Sequence, residues 1–222
     1  MEQRGTLVSV LVGMPQTRLM PETGKIDLRT ASWTSGIYKT AASGPVWVGV
    51  GGMRGDGQAD LKNHGGPDNV VLAYDTGHYA EWRAILNRPD LEWGSFGENF
   101  AVEGFSDDSV CIGDVWRVGD EVELQVSQPR QPCWKLARRI GDPRVVKHTM
   151  ERGWGGWYLR VLKEGQVQAG MSIERIARPH AEWPVRAAVW LMYERKKDRA
   201  RAAVLAGLPE LSARWKEEIL EG

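Results

Sequence analysis

The chain has 222 residues, of which 42% are hydrophobic and 26% are charged, and these proportions are ordinary for a globular protein with a well-developed core. Its 29 lysine and arginine residues balance 29 aspartate and glutamate residues, so the composition gives no sign of a nucleic-acid polymer or a membrane as the main partner. No apolar run is long enough to span a bilayer, and the N-terminal apolar stretch is too short for a secretory signal, so we expect a cytoplasmic protein.

The first two-thirds of the chain predict mainly short strands. Apolar or alternating runs occupy residues 6–13, 44–52, 69–74, 109–120, 121–128, 155–165 and 171–178. The run at 121–128 alternates cleanly, with Val122, Leu124 and Val126 on one face. Many short strands joined by glycine-rich turns favour a closed or half-closed antiparallel β-barrel.

Helices interrupt and follow the strands. Helical spacing predicts one over residues 76–88 and a second over 133–140, which Pro132 would start. From about residue 182 the chain is rich in alanine, arginine and leucine, and Gly207 and Pro209 are helix-ending residues. We therefore predict an α+β, mainly β fold in two parts: a barrel domain over residues 1–178 and a small helical domain over residues 179–222.

Cys133 is the first candidate site residue. The chain has two cysteines, Cys111 and Cys133, which are too few for a disulfide framework, a structural zinc site or a cysteine-ligated iron–sulfur cluster. At a helix start and among basic residues, the Cys133 thiol should favour the reactive thiolate. The basic neighbours are Arg130, Lys135, Arg138 and Arg139. The alternative is a small buried apolar residue, which is the expectation for Cys111 in its predicted strand.

The loop at residues 55–69 is the second candidate. Its paired glycines, Gly65 and Gly66, allow close approach of the backbone to a ligand and can form an anion nest. Lys62 and His64 could neutralise a phosphate there. A hydrogen-bonded loop between strands is the competing interpretation.

Two further stretches contain candidate polar residues. In residues 93–100, Asn99 could hydrogen-bond a heterocycle, and Glu98 could be a proton donor or a structural turn cap. Arg160 alternates with apolar neighbours in a predicted strand, so it would need an anion supplied by the protein or by a ligand.

Several blocks occur in an order that resembles MOSC-domain proteins, and more narrowly their YiiM-type subgroup. These blocks are GDGQADLKNHGGPDN, YAEW, GSFGENF, IGDVWRVGD, LQVSQPRQPCWKLARR and GWYLRVLKEGQVQAG. The resemblance spans about residues 6–222 and includes the subgroup's C-terminal three-helix extension. It implies a MOSC-type β-barrel that binds the molybdenum cofactor, a molybdopterin, with Cys133 as the protein ligand to the metal.

The resemblance also implies an activity, the reduction of N-hydroxylated compounds such as N-hydroxylaminopurine bases to amine and water. The predicted catalytic residues are Cys133, His64 and Glu98. The predicted cofactor-binding residues are Lys62, Asn63, His64, Gly65, Asn99, Arg130, Arg160 and Cys133.

The chain shows no flavin or nicotinamide fingerprint, so we expect electrons from a separate reductase. The C-terminal helices are a candidate docking surface for that reductase, or simply a helical cap on the barrel. Two alternatives stay open at this point. One is a sulfur or molybdenum-cofactor carrier that uses Cys133 without turnover, and the other is a cofactor-free cysteine hydrolase.

Overall fold

The computed structural model describes residues 3–19, 32–60 and 65–221. Within these ranges the strands are β1 (Arg4–Val12), β2 (Gln16–Leu19), β3 (Ser32–Ser35), β4 (Thr40–Ala41), β5 (Val46–Gly49), β6 (Gly52–Met53), β7 (Val71–Asp75), β8 (Phe100–Glu103), β9 (Val115–Val118), β10 (Val122–Pro129), β11 (Trp157–Lys163), β12 (Gly165–Val167) and β13 (Ser172–Ala177). The helices are α1 (His78–Leu86), α2 (Trp134–Ile140), α3 (Arg144–Arg152), α4 (Val185–Glu194), α5 (Arg199–Ala206) and α6 (Ala213–Leu220), and Pro67–Asn69 form a 3₁₀ turn.

Seven strands close into a barrel in the order β13, β9, β10, β11, β7, β8 and β1, and β1 pairs back with β13. Six of the seven neighbouring pairs are antiparallel, whereas β7 and β8 run parallel. A parallel pair needs a crossover connection, and the segment containing α1 provides it. The predicted mainly β barrel is therefore confirmed, with one parallel pair that the sequence did not indicate.

The inner face of the barrel is the apolar face predicted for β10. Val122, Leu124 and Val126 are completely buried, while the residues between them are partly exposed. Trp116 and Trp157 are also fully buried and meet edge to face, with ring centroids 5.7 Å apart. These large rings fill the interior, so the barrel is a packed core and not a channel.

Several predicted elements differ in their limits. The run at 44–52 folds into the β5–β6 hairpin, and only the second half of the run at 109–120 becomes a strand, β9. Cys111 therefore lies outside the named strands, and its backbone forms an isolated antiparallel bridge with Pro184. Helix α2 begins at Trp134, two residues after the predicted start at Pro132, and α3 was not predicted.

The C-terminal segment forms three short helices, α4 to α6, as predicted. They pack on the outside of the barrel, and residues such as Ala188, Leu205 and Trp215 belong to the same buried cluster as Leu124. The division of the chain at residue 178 stays a prediction.

A second buried cluster lies between helices α1, α2 and α3. It is rich in aromatic rings, and Tyr74 and Phe96 stack with centroids 4.9 Å apart. Leu136 and Ile140 of α2 and Val145 of α3 complete it. This cluster anchors the α2–α3 hairpin against the rest of the fold and fixes where the first turn of α2 lies.

Candidate active site

A cleft opens between the first turn of α2, the turn before β8 and the loops around β4 and β6. It contains about 660 Å³ of space, counted out to the solvent at its mouth. Three predicted site residues, Cys133, Arg130 and Asn99, line it. The cleft is open to solvent and is not an enclosed cavity.

Cys133 occupies the N-terminal cap of α2. Its backbone is extended, with φ −117° and ψ 171°, and its carbonyl accepts the first helical hydrogen bond from the N–H of Leu136 at 3.0 Å. The residue is partly exposed. Leu136 and Ile140 are the buried residues of this helix, and their packing fixes its first turn, which places Cys133 at the wall of the cleft.

Arg130 lines the same cleft although it is only 6% exposed. Its backbone N–H donates to the carbonyl of Gly156 at 2.9 Å, and its Nη2 donates to the carbonyl of Phe96 at 3.3 Å. Its Nη1 is buried and has no hydrogen-bond partner in the part of the chain that the structure describes. A buried guanidinium with an unused donor is suited to an anionic ligand.

Lys39 and Asp56 form an ion pair in the cleft, and each side chain is only 7% exposed. The Lys39 ammonium donates to the Asp56 carboxylate, which also accepts from the N–H of Gly13 at 2.8 Å. Burial lowers the pKa of Lys39, while the neighbouring Asp56 carboxylate acts in the opposite direction. The sequence predictions did not include this pair, because its members are 17 residues apart and only Asp56 lies in a recognisable loop.

Asn99 reaches the cleft but is engaged by the protein at both ends of its amide. Its Nδ2 donates to the carbonyl of Leu11 at 3.2 Å and to Asp56 at 3.0 Å, and its Oδ1 accepts from the N–H of Leu72 at 3.1 Å. Asn99 thus holds two barrel strands and the Asp56 carboxylate together. Its direct role in cofactor binding stays a prediction.

Tyr158 also lines the cleft and was missed by the sequence analysis. Burial raises the pKa of its phenol, the Arg130 guanidinium lowers it, and the Cys133 sulfur raises it. Tyr158, Arg130 and Cys133 all line this cleft. The place of Tyr158 in the β11 alternation was the only sequence signal, and that signal indicates burial without function.

Glu98 is fully buried and lies outside the cleft lining. It accepts hydrogen bonds from the hydroxyl of Tyr79, the N–H of Gly94 at 2.6 Å and the N–H of Phe96 at 3.2 Å. Burial raises the pKa of Glu98 even though these donors act in the opposite direction. These contacts agree with the structural turn-cap role considered for Glu98. Its catalytic role stays a prediction.

Arg160 also lies outside the cleft lining. Its Nη2 is 2.8 Å from the Asp68 carboxylate and donates to the carbonyl of Glu210 at 2.8 Å, while its Nη1 donates to Gln125 at 3.2 Å. In the structure, the anion beside Arg160 is therefore a carboxylate of the protein, that of Asp68. Cofactor binding by Arg160 stays a prediction.

The loop at 55–69 is only partly described. The carbonyl of Gly65 accepts from Nδ2 of Asn69 at 3.2 Å, and Asn69 lines the cleft. The predicted site residues Lys62, Asn63 and His64 lie outside the described residues, so their roles stay predictions.

Cys111 is buried, and burial together with the nearby Asp114 carboxylate raises its pKa to about 11, which keeps it a neutral thiol at ordinary pH.

Among residues 3–19, 32–60 and 65–221, no group of three or more histidine, cysteine, aspartate or glutamate side chains could hold a metal ion. In the same ranges no helix has the length and apolar character that crossing a membrane requires.

The family model for the MOSC domain matches residues 60–174, which is more than half of the chain. The chain belongs to the MOSC family. A second model, the YiiM-like 3-alpha helix domain, matches residues 183–220 of this MOSC protein. That match covers helices α4 to α6 and confirms the predicted YiiM-type extension.

Individual relatives agree with this assignment. "Uncharacterized protein YflK" of Bacillus subtilis is 38% identical over 220 residues, which cover 99% of this MOSC protein and 95% of YflK. The crystal structure of YiiM from Geobacillus stearothermophilus matches with a TM-score of 0.79 and 32% identity over 98% of each chain. A protein named "Reductase" from Gibberella moniliformis is 44% identical over 154 residues, which cover 68% of this chain but only 27% of that protein.

MOSC domains are generally associated with the molybdenum cofactor, so we tested whether this cleft suits it. A molybdopterin brings its own sulfur ligands to the metal and carries an anionic phosphate. One cysteine thiolate is a suitable additional ligand for such a soft metal site. Arg130 lines the same cleft as Cys133, and its guanidinium, whose Nη1 has no partner within the described ranges, is suited to the anionic part. The residues present therefore fit the cofactor.

Proposed function

We propose that this MOSC protein is a molybdenum-cofactor-dependent reductase of N-hydroxylated compounds, such as N-hydroxylaminopurine bases. The observation that carries the proposal is Arg130, which lines the same cleft as Cys133 and has a buried guanidinium N–H group without a hydrogen-bond partner among the described residues. The name of the fungal relative, "Reductase", supports an oxidoreductase over a carrier.

In this proposal, Cys133 is the protein ligand to molybdenum and Arg130 binds an anionic group of the pterin. The Lys39–Asp56 pair forms a charged but internally neutralised part of the cleft wall, which would orient polar edges without adding net charge. When bound, the cofactor would supply the two-electron redox chemistry that breaks the N–O bond.

The reaction also needs protons. An N-hydroxylated substrate R–NH–OH takes up two electrons and two protons to give R–NH₂ and water. We assign Tyr158 as a proton donor, because it lines the cleft and a phenol is protonated at neutral pH. Burial raises its pKa and makes it a weak acid, so proton transfer requires the negative charge that develops on the departing oxygen. Solvent at the open mouth of the cleft would replace that proton.

The two electrons are proposed to come from a separate reductase. The absence of a flavin or nicotinamide fingerprint from the sequence supports a donor on another protein.

The proposal is tested by expressing the wild type, Cys133→Ser and Cys111→Ser in a molybdenum-replete host. Bound molybdenum, bound pterin and the reduction of 6-N-hydroxylaminopurine by a chemical reductant are then measured. We expect metal, pterin and turnover in the wild type and in Cys111→Ser, and loss of metal and turnover in Cys133→Ser.

Each other result has a definite meaning. A wild type without molybdenum would contradict the proposal. Bound cofactor without turnover would favour the carrier alternative, and wild-type behaviour of Cys133→Ser would remove Cys133 from the site.

Arg130 is tested in the same preparation. Arg130→Met should weaken pterin retention by about 10- to 100-fold, since a hydrogen bond to a charged group contributes roughly 1.5–3 kcal/mol. Arg130→Lys keeps the charge but not the planar fork, and should retain part of the binding. Equal retention in all three proteins would show that Arg130 does not contact the cofactor.

A further inference from the structure

The α2–α3 hairpin, residues 134–152, concentrates positive charge beside the cleft. It has six basic side chains and two acidic ones, Asp142 and Glu151, which gives a net charge of +4 in a chain whose total is zero. The basic residues are Lys135, Arg138, Arg139, Arg144, Lys147 and Arg152.

Packing leaves two of the six basic residues of the hairpin exposed and the other four half-buried. Leu136, Ile140 and Val145 face the aromatic second cluster, so the opposite side of each helix meets solvent. The side chains of Arg144 and Lys147 are 62% and 78% exposed. A face of this kind attracts acidic surfaces over a range of about 10 Å at moderate salt.

The same hairpin exposes a large apolar side chain next to the site. Trp134 is 50% exposed and directly follows Cys133 in the chain. Arg138 stacks on its ring, with the guanidinium carbon 4.5 Å from the centroid. An exposed tryptophan among arginines has the composition of an interface anchor.

We propose that the outer face of the α2–α3 hairpin docks the acidic surface of the protein that donates electrons to the site. This inference rests on the proposed function, because only a redox reaction requires such a donor. Two one-electron carriers would each lose one electron, and together these electrons reduce one N–O bond. Docking over Trp134 brings the donor to the residue beside the metal-ligating cysteine.

A second basic cluster is the main competitor. Residues 194–201 of the C-terminal extension contain five basic and two acidic side chains. Lys135 and Cys133, at the start of the hairpin, both line the cleft, whereas the lining of the cleft includes none of the described residues 194–201. Charge alone does not separate the two surfaces, but proximity to the cleft favours the hairpin over the extension.

The binding test uses oxidised flavodoxin, an acidic electron carrier, titrated into the full chain at low and high salt. We expect salt-sensitive binding that Lys147→Glu weakens about tenfold. Lys197→Glu is the matched control, because Lys147 and Lys197 are both 78% exposed and each is paired with a glutamate of its own segment, Glu151 and Glu194. This measurement does not require bound cofactor.

The kinetic test compares reduced flavodoxin with reduced methyl viologen as donors to the cofactor-loaded protein. Lys147→Glu should lower kcat/KM about tenfold with flavodoxin and leave the rate with viologen unchanged. If the wild type reduces no substrate with viologen, the proposed function fails, while the binding titration still judges the docking surface.

Three results would overturn the docking proposal. The first is the absence of salt-sensitive binding to flavodoxin. The second is a loss in Lys197→Glu that matches or exceeds the loss in Lys147→Glu, which would move the surface to the extension. The third is binding of the hairpin to phosphatidylglycerol vesicles without binding to flavodoxin, which would identify a membrane-facing surface.

Discussion

The guanidinium of Arg160 lies 2.8 Å from the carboxylate of Asp68 and also donates to the carbonyl of Glu210 at 2.8 Å. Asp68 belongs to the 3₁₀ turn, and the next residue, Asn69, lines the cleft. Glu210 lies between helices α5 and α6. One side chain of β11 therefore connects the barrel, the loop beside the cleft and the C-terminal helices.

Arg160→Met should lower the free energy of unfolding by about 1–3 kcal/mol, because a charged donor is removed from three acceptors, Asp68, the carbonyl of Glu210 and Gln125. The partial exposure of the pair, 21% and 29%, places the expected loss at the lower end. Urea unfolding measures it. Lys197→Met removes the exposed Lys197–Glu194 pair and should change stability by less than about 0.5 kcal/mol. If Arg160→Met keeps the stability of the wild type but no longer retains pterin, Arg160 contributes to cofactor binding and not to folding.

The sequence predicted the elements whose side-chain pattern has one clear period. The alternation in β10 and the helical spacing in α1 are of this kind, because each element buries one side. Helix α3 was missed because only Val145 and Thr149 are buried in nine residues, which leaves a very narrow apolar stripe. The run at 109–120 was predicted too long because Gly113, with φ +83°, turns the chain before β9.

The site was predictable only where its parts are close in sequence. Arg130 and Cys133 are three residues apart, so local reasoning could associate them. Lys39, Asp56 and Tyr158 come from distant segments, and their meeting depends on the closure of the barrel. The alternation around Arg160 correctly indicated an arginine that needs an anion, but a periodic pattern does not identify which anion the fold supplies.

Single and double substitutions of the Lys39–Asp56 pair should change the free energy of unfolding by different amounts. Lys39→Met leaves the buried Asp56 carboxylate with only its neutral donors and should cost about 3–5 kcal/mol. Lys39→Met/Asp56→Leu removes both charges and should recover part of that loss, since a buried pair is often replaceable by apolar residues. Denaturant unfolding of the two single variants and the double variant gives the coupling free energy. Additive losses would show that the two charges are not coupled.

Glu98 should make stability depend on pH. Burial raises the pKa of Glu98 above its ordinary value of 4.5, so at intermediate pH the folded chain keeps a proton that the unfolded chain has lost. This contribution to stability is fully present below pH 4.5 and is lost as the pH rises through the folded pKa. Each unit of pKa difference corresponds to about 1.4 kcal/mol.

Glu98→Gln removes this titration. Relative to the wild type, the variant should therefore gain stability as the pH rises, although the amide accepts the Tyr79, Gly94 and Phe96 hydrogen bonds less well. Urea unfolding of both proteins from pH 4 to pH 8 gives the difference, in which the other carboxylates cancel. A difference that stays constant across this range would show that Glu98 does not bind a proton on folding.

Gly97 sits where the turn before β8 approaches the loop that contains Ile37, and both residues line the cleft. Its φ of +81° disfavours any side chain, and a Cβ would lie only 2.6 Å from Cγ1 of Ile37. Gly97→Ala should therefore cost about 1–2 kcal/mol for the backbone and about 1–3 kcal/mol for the contact. Gly66→Ala is the control, because its φ is also positive, +98°, and among the described residues a Cβ there meets nothing within 4 Å.

The two costs can be separated by denaturant unfolding. Gly66→Ala should show the backbone cost alone, and Gly97→Ala should lose more by the amount of the steric contact. Ile37→Ala removes Cγ1, so in that background Gly97→Ala should lose only about as much as Gly66→Ala. If Ile37→Ala leaves the cost of Gly97→Ala unchanged, the close approach of the two segments does not determine the shape of the cleft wall at this point.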